Sequence, residues 1–295
     1  MTDEIIEFCT KKWEVDSEDP RIKFFIEKKE KFYDGFSDDM KECIDSLLKE
    51  FDYYSHRSIN REYSDLHKKL ESEQDFDIGF SIFTFLKSQD KSYNSSYGFT
   101  EEYRTVNDIS RKNIIPDLRD CFENSWWIDI QSIVFVDDFC GSGKTFSDYI
   151  DTVKQFVKDK HIFYIVVHAM EQGVENIEEY AKKNDLHITI LTNHYAKPAF
   201  CDENFRKYKE PFISLSKKRK IANNHIMGFY DSQALVAFCE NTPNNTLGIF
   251  RYKTKKNEAI FPRVNDQSPA FLMKERRIQK GIDNYANDRR SRGYE

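Results

Sequence analysis

Residues Ile133 to Thr145 read IVFVDDFCGSGKT, and the order of residue types in this stretch decides the fold. Ile133, Val134, Phe135 and Val136 form an unbroken apolar run with β-branched members, the pattern of a strand buried on both faces of a parallel sheet. Two carboxylates follow, Asp137 and Asp138, and then a turn through Gly141 and Gly143 into a helical pattern. Glycines at such a turn let backbone N–H groups converge on an anion, and the helix start adds the positive end of its dipole. An adjacent acid pair at the end of a buried strand is costly unless something binds there. The stretch therefore predicts a site for a phosphate and a sugar.

The flanking sequence extends the pattern. Phe146, Tyr149, Ile150, Val153, Phe156 and Val157 recur at helical spacing, HIFYIVVHAM supplies a second buried strand, Val174 to Asn184 a second amphipathic helix, and HITILT from His187 a third strand. Strands alternating with helices of this length predict an α/β fold, a parallel sheet with right-handed crossovers. Ligands of such sheets bind beyond the carboxyl ends of the strands, where Asp137 to Thr145 fall.

Two phosphate motifs compete for this turn. A Walker loop, Gly-x-x-x-x-Gly-Lys-Thr, requires a glycine at position 138, where Asp138 stands. A carboxylate there would repel a polyphosphate, so a nucleoside-triphosphate hydrolase using GSGKT is the remote reading. Four apolar residues, two acids and a short glycine- and threonine-containing loop instead resemble the PRPP-binding signature of the type I phosphoribosyltransferases. That resemblance implies that Asp137 and Asp138 accept hydrogen bonds from the ribose hydroxyls and touch a metal only through the ligand. It also implies that Cys140, Gly141, Ser142, Gly143, Lys144 and Thr145 wrap the 5-phosphate, with Mg2+ accompanying PRPP or a nucleotide. Elementary chemistry agrees, since carboxylates are acceptors without donors and suit a vicinal diol. Lys144 stands where many members carry a glycine. It either strengthens anion binding or points into solvent, as most lysines do. Cys140 is either a thiol activated by nearby amides or a small residue that fits the loop.

The 295 residues suffice for a full core, and 39% hydrophobic with 15% aromatic content indicates a folded chain. No apolar run reaches membrane-spanning length, and the start MTDEIIEFCTKKW lacks a signal-peptide pattern, so the expectation is a cytoplasmic protein without membrane contact. Cysteines at 9, 43, 121, 140, 201 and 239 lack metal-binding spacing and read as reduced thiols. From Lys274 onward seven Lys or Arg face four Asp or Glu, a net of +3, which leaves −9 on the preceding chain out of a total of −6. The acidic body disfavours general nucleic-acid binding; the basic tail is a candidate contact for nucleic acid or an acidic partner, or a solvated terminus.

Three regions are expected: a helical part over 1–75, the α/β domain over 76–265 and a charged tail over 266–295. Met40, Cys43, Ile44, Leu47, Leu48, Phe51 and Tyr54 trace one amphipathic helix and Arg61 to Glu73 another, while GFSIFTFL from Gly79 reads as a strand. The polar SQDKSYNSSYG that follows predicts a loop before a helix near Glu101 to Asn113, and Lys91, Ser95 and Ser96 are its candidate ligand-facing residues, beside the plainer reading of a solvated connection. Near the C-terminus an LVxF element stops at a Thr242-Pro243-Asn244-Asn245-Thr246 turn, and Leu247 to Tyr252 reads as a strand.

A glycine-aromatic entry, LVxF, TPNNT and a terminal aromatic-Pro-Arg, together with DDFCGSGKT, resemble the phosphoribosyltransferase-like proteins of bacterial conflict and anti-phage gene clusters, including some retrons. The resemblance runs over roughly 60–263 and is strongest in the two blocks. It implies that Asn244, Asn245 and Arg263 approach the ligand, beside the alternative of plain turn chemistry. It also implies protein partners from a defence system. Chemistry at the anomeric carbon of PRPP or a nucleotide, and binding of such a ligand without turnover by a regulatory or scaffold subunit, both fit. His168, at the end of the second strand, is the candidate acid or base by location.

Overall fold

The computed structural model describes residues 2–86 and 95–263. Lys91 and the tail beyond Arg263 lie outside the described residues, and Ser95 and Ser96 are described by backbone alone. Among the described residues seven strands form: β1 (Asp52–Tyr54), β2 (Ser81–Thr84), β3 (Ser132–Cys140), β4 (His161–Met170), β5 (His187–Leu191), β6 (Tyr195–Ala196) and β7 (Val236–Phe238). The main sheet runs β2-β3-β4-β5, all parallel, with β6 pairing the far end of β4 beyond β5. Buried apolar residues fill β3 from Ile133 to Val136, as the continuous run required, and β4 is buried along its whole length. β1 and β7 make a second, two-stranded parallel sheet.

The longer helices are α1 (Thr2–Trp13), α2 (Pro20–Phe32), α3 (Asp38–Glu50), α4 (His56–Glu71), α5 (Ser95–Val106), α6 (Lys144–Val157), α7 (Glu171–Asn184) and α8 (Lys209–Lys218). The stripe Phe146, Tyr149, Ile150, Val153 and Val157 of α6 and Val174 and Ile177 of α7 bury against Ile133, Phe135, Ile162 and Tyr164 on one face of the sheet. Tyr63, Leu66 and Leu70 of α4 and Phe99 and Tyr103 of α5 bury against Val134, Val136, Phe163 and Ile165 on the other. Helices α1 to α3 share a third core with α8, Leu247, Ile249, Phe250 and Phe261, so both ends of the described chain fold against each other. Phe51 and Phe261 stack there with ring centroids 4.4 Å apart.

Three local expectations are corrected. The helix expected from Met40 to Tyr54 stops at Glu50, because Asp52–Tyr54 is drawn into parallel pairing with Val236–Phe238. The helix near Glu101 starts earlier, at Ser95, and ends at Val106, which takes Ser95 to Gly98 out of the expected loop. Leu247 to Tyr252 is not a strand: Gly248–Arg251 is a helical turn with every residue buried. A short apolar run cannot separate strand from buried helix, and here burial on all sides removed the alternation that would have decided it.

One irregularity positions the carboxyl end of the sheet. Along β3, Ile133 and Phe135 face α6 while Val134 and Val136 face α4; past the acid pair the phase inverts, with Phe139 on the α4 side and Cys140 on the α6 side. β4 inverts at the same level, since Tyr164 and Val166 face α6 but Ala169 does so too, and Met170 joins Val167 on the α4 side. The two strands stay in register through the slip, with Asp137 opposite Val166 and Phe139 opposite His168.

Candidate functional site

The acid pair lies near the carboxyl end of β3, ahead of Phe139 and the last strand residue, Cys140. Asp137 is 7% exposed. Its Oδ2 accepts a 3.0 Å hydrogen bond from the Tyr164 hydroxyl of the neighbouring strand, and its Oδ1 accepts one from the Asp138 backbone N–H at 3.1 Å. Burial first, and the adjacent Asp137 carboxylate second, push the Asp138 carboxyl well above the ordinary carboxylate range. Asp137 is therefore held in place by its neighbours, and Asp138 is biased toward its protonated form. Hydroxyl donors or a cation beside the pair would relieve the repulsion.

The glycine turn is set by close contacts. Gly143 has φ +72°, the left-handed conformation that favours glycine, and a Cβ there would lie 2.7 Å from the Gly173 carbonyl oxygen and 2.8 Å from Ile177 Cγ1. The turn leans on the start of α7, where the Asn176 side-chain amide donates to the Ser142 carbonyl at 3.0 Å. Gly141 is restricted from the opposite side: a Cβ would lie 2.6 Å from Asn245 Cγ and 2.7 Å from its Oδ1. The two blocks of sequence, 104 positions apart by number, meet at that contact.

These approaches enclose a cavity of about 240 Å³ lined by Asp137 to Phe146, Tyr164, Phe229, Asn241 to Asn245 and Arg263. Asn244, Asn245 and Arg263 are thus brought to the acid pair and the glycine turn. Asn245 is buried, and its side-chain amide donates to the Phe229 carbonyl at 3.4 Å. Arg263 donates from Nη1 to the Thr242 carbonyl at 2.7 Å, which sets a guanidinium at the rim. Thr145 is exposed at the start of α6, a helix of 14 residues whose first amides open toward the turn.

Lys144 and Cys140 line the cavity but are engaged in other ways, and His168 lies outside the lining. Lys144 is exposed and its Nζ is held 2.8 Å from Asp148, so it forms a surface ion pair one helical turn on. Cys140 is buried and its thiol is pushed up to about 12 by burial, which makes it a packing residue and not an activated nucleophile. His168 is 2% exposed and lies outside the cavity lining. Its Nδ1 shares a 3.1 Å hydrogen bond with the Tyr54 hydroxyl, and burial, with the nearby His194, pushes it down to about 3. The structure thus places His168 beside Tyr54 and does not bring it to the acid pair's cavity. Tyr164, Phe229, Asn241 and Thr242 are cavity residues that the sequence reading missed. Tyr164 had a detectable signal, since in a parallel sheet the neighbouring strand's Tyr164 faces the same side as Asp137.

A model of the PRTase-CE family matches residues 29–263, which starts nearer the N-terminus than the resemblance carried by the two short blocks. The structure is similar to that of Helicobacter pylori xanthine-guanine-hypoxanthine phosphoribosyltransferase, with a TM-score of 0.31 at 12% identity, covering 54% of this chain and 96% of that one. No curated protein matches the sequence.

Proposed function

This chain belongs to the PRTase-CE family, and we propose on that premise that it binds a ribose 5-phosphate ligand, PRPP or a nucleotide, in the cavity over Asp137 to Thr145. One observation carries the proposal: the acid pair, the glycine turn, Asn244, Asn245 and Arg263 line one cavity although they come from distant parts of the sequence. Asp137 and Asp138 accept the ribose hydroxyls, and the amides of Gly141 to Thr145 hold the 5-phosphate. The Arg263 guanidinium supplies a cation at the rim for the remaining phosphate charge. The donor set at the acid pair is hard oxygen, which suits Mg2+ carried in with the ligand; bound there it would neutralise a leaving pyrophosphate.

Bond cleavage at the anomeric carbon passes through an oxocarbenium-like state, and the chain's part is to hold the sugar by both ends while charge develops. Among the described lining residues, Asp138 is a carboxyl whose proton affinity is raised by burial and by Asp137, which makes it the candidate proton carrier of the cavity. Binding without turnover, as in a regulatory subunit, is the second reading. It is favoured by the placement of His168 outside the cavity and by the Lys144–Asp148 pair. The resemblance of DDFCGSGKT and TPNNT to conflict-system proteins supports a role in bacterial anti-phage defence, with protein partners from the same system.

Calorimetry with PRPP and nucleotides in the presence of Mg2+ tests the binding. The Asp137→Asn, Asp138→Asn double variant is expected to lose ligand binding while its circular dichroism stays native; unchanged affinity would refute the assignment. Chromatography of the same mixtures, watching for ribose–phosphate or glycosidic cleavage, separates enzyme from binding module.

A further inference from the structure

At the other end of β4, five residues from the level of Asp137 and so roughly 17 Å away by strand rise, lies a second constellation with no part in the proposed function. His161 and His187 are the first residues of β4 and β5 and are direct partners in the parallel register. Their imidazoles stack with centroids 3.6 Å apart. Asp75, ahead of β2, reaches them because the Ser132 hydroxyl donates to its backbone carbonyl at 3.0 Å and ties that segment to the start of β3. Asp75 Oδ2 then lies 3.5 Å from His161 Nδ1, and one ligand atom from each of the three residues lies within 4.8 Å of the others.

We infer that Asp75, His161 and His187 form a binding site for a divalent first-row transition-metal ion such as Zn2+. The chemistry of the donors selects that class, because two imidazoles and one carboxylate suit Zn2+ and its neighbours and do not suit Mg2+ or Ca2+. His161 carries the decisive feature. Its ring is 8% exposed, and its Nδ1 is buried and makes no hydrogen bond of ordinary geometry, with Asp75 Oδ2 a long 3.5 Å away. A buried polar nitrogen left so is unfavourable unless a ligand completes it. Its other nitrogen, Nε2, lies 2.8 Å from Thr189 Oγ1, the outer contact that fixes ring orientation in histidine metal sites.

Bonds of about 2.0–2.1 Å place tetrahedral ligand atoms about 3.3 Å apart. Closure therefore takes rotation of the exposed Asp75 and His187 side chains about the fixed His161. The adjoining cavity of about 660 Å³ admits the ion and water as further ligands. Lys158 and Lys160 line the same cavity but are engaged by Asp185 and Asp159. A bound ion would clamp β4, β5 and the segment before β2 together at the amino end of the sheet.

The full chain, stripped with chelator and dialysed against Zn2+, is expected to retain one Zn2+ per chain by mass spectrometry of the metal. Co2+ is expected to give the visible bands of a nitrogen- and oxygen-ligated site, and Zn2+ to raise Tm. His187→Ala and Asp75→Asn, both at exposed positions, are expected to weaken affinity more than about tenfold and to abolish the Tm rise; Thr189→Val weakens it about tenfold with all three ligands present. Failure of the wild-type chain to retain Zn2+, or equal affinity in His187→Ala and Asp75→Asn, overturns the inference. Neither result bears on the phosphoribosyl site, which is tested by its own variants.

Discussion

Gly141→Ala isolates the contact that joins the two motifs. Gly141 has no positive φ, so alanine fits its backbone; only the neighbour objects. The new Cβ would lie 2.6 Å from Asn245 Cγ, roughly 0.9 Å short of the ~3.5 Å separation of carbon atoms in contact. Asn245 is 6% exposed and has little room to retreat. Overpacking of this kind costs about 1–3 kcal/mol, or roughly 2–4 °C in Tm per kcal/mol for a chain of this size. In an Asn245→Ala background the clashing atoms are gone. There the same substitution is expected to stabilise by about 0.4–1 kcal/mol, because alanine restricts the unfolded chain. Chemical denaturation of wild type, both single variants and the double variant closes the cycle, with an expected coupling of about 1.5–3 kcal/mol. Additive effects, or a neutral Gly141→Ala in the wild type, would show that Asn245 does not seat against the turn, and the shared cavity would lose its basis.

Three further outcomes follow from the site. Asp138 holds its proton more tightly folded than unfolded, so its contribution to stability is fully present below the unfolded carboxylate pKa and is lost as pH rises through the folded value. Asp138→Asn is expected to flatten that fall in ligand-free protein, and wild-type affinity for PRPP with Mg2+ is expected to rise with pH over the same window; a pH-independent difference between the two proteins refutes the assignment. Tyr164→Phe removes the donor to buried Asp137 Oδ2 and is expected to cost about 1–3 kcal/mol in denaturant titration, whereas no measurable loss would mean water replaces the hydroxyl. Lys144→Ala is expected to leave PRPP affinity within about threefold, since the amine is engaged by Asp148; a larger drop means the amine leaves Asp148 for phosphate, and loss of an ATP hydrolysis activity in the same variant would revive the triphosphatase reading.

Much of the fold was legible because its signals are local. The run Ile133 to Val136, the α6 stripe and the β4 run each carry their period within about ten residues, and alternation of such segments restricts the topology to a parallel sheet. The failures were also local, at segments where a distant partner overrode propensity. Asp52–Tyr54 is a strand because β7 lies beside it, and Gly248–Arg251 is helical because the third core surrounds it.

The sequence by itself determined the chemistry of the cavity floor: an acid pair at a strand end, a glycine turn and a helix start are consecutive residues, so chain connectivity alone brings them together. Tertiary structure decided what stands opposite. Only folding brings Asn245 against Gly141 and Arg263 to the rim, and the coupled phase slip of β3 and β4 puts His168 beside Tyr54 and outside the cavity lining. These are consequences of packing between segments a hundred residues apart, where no periodicity in the chain records which faces meet.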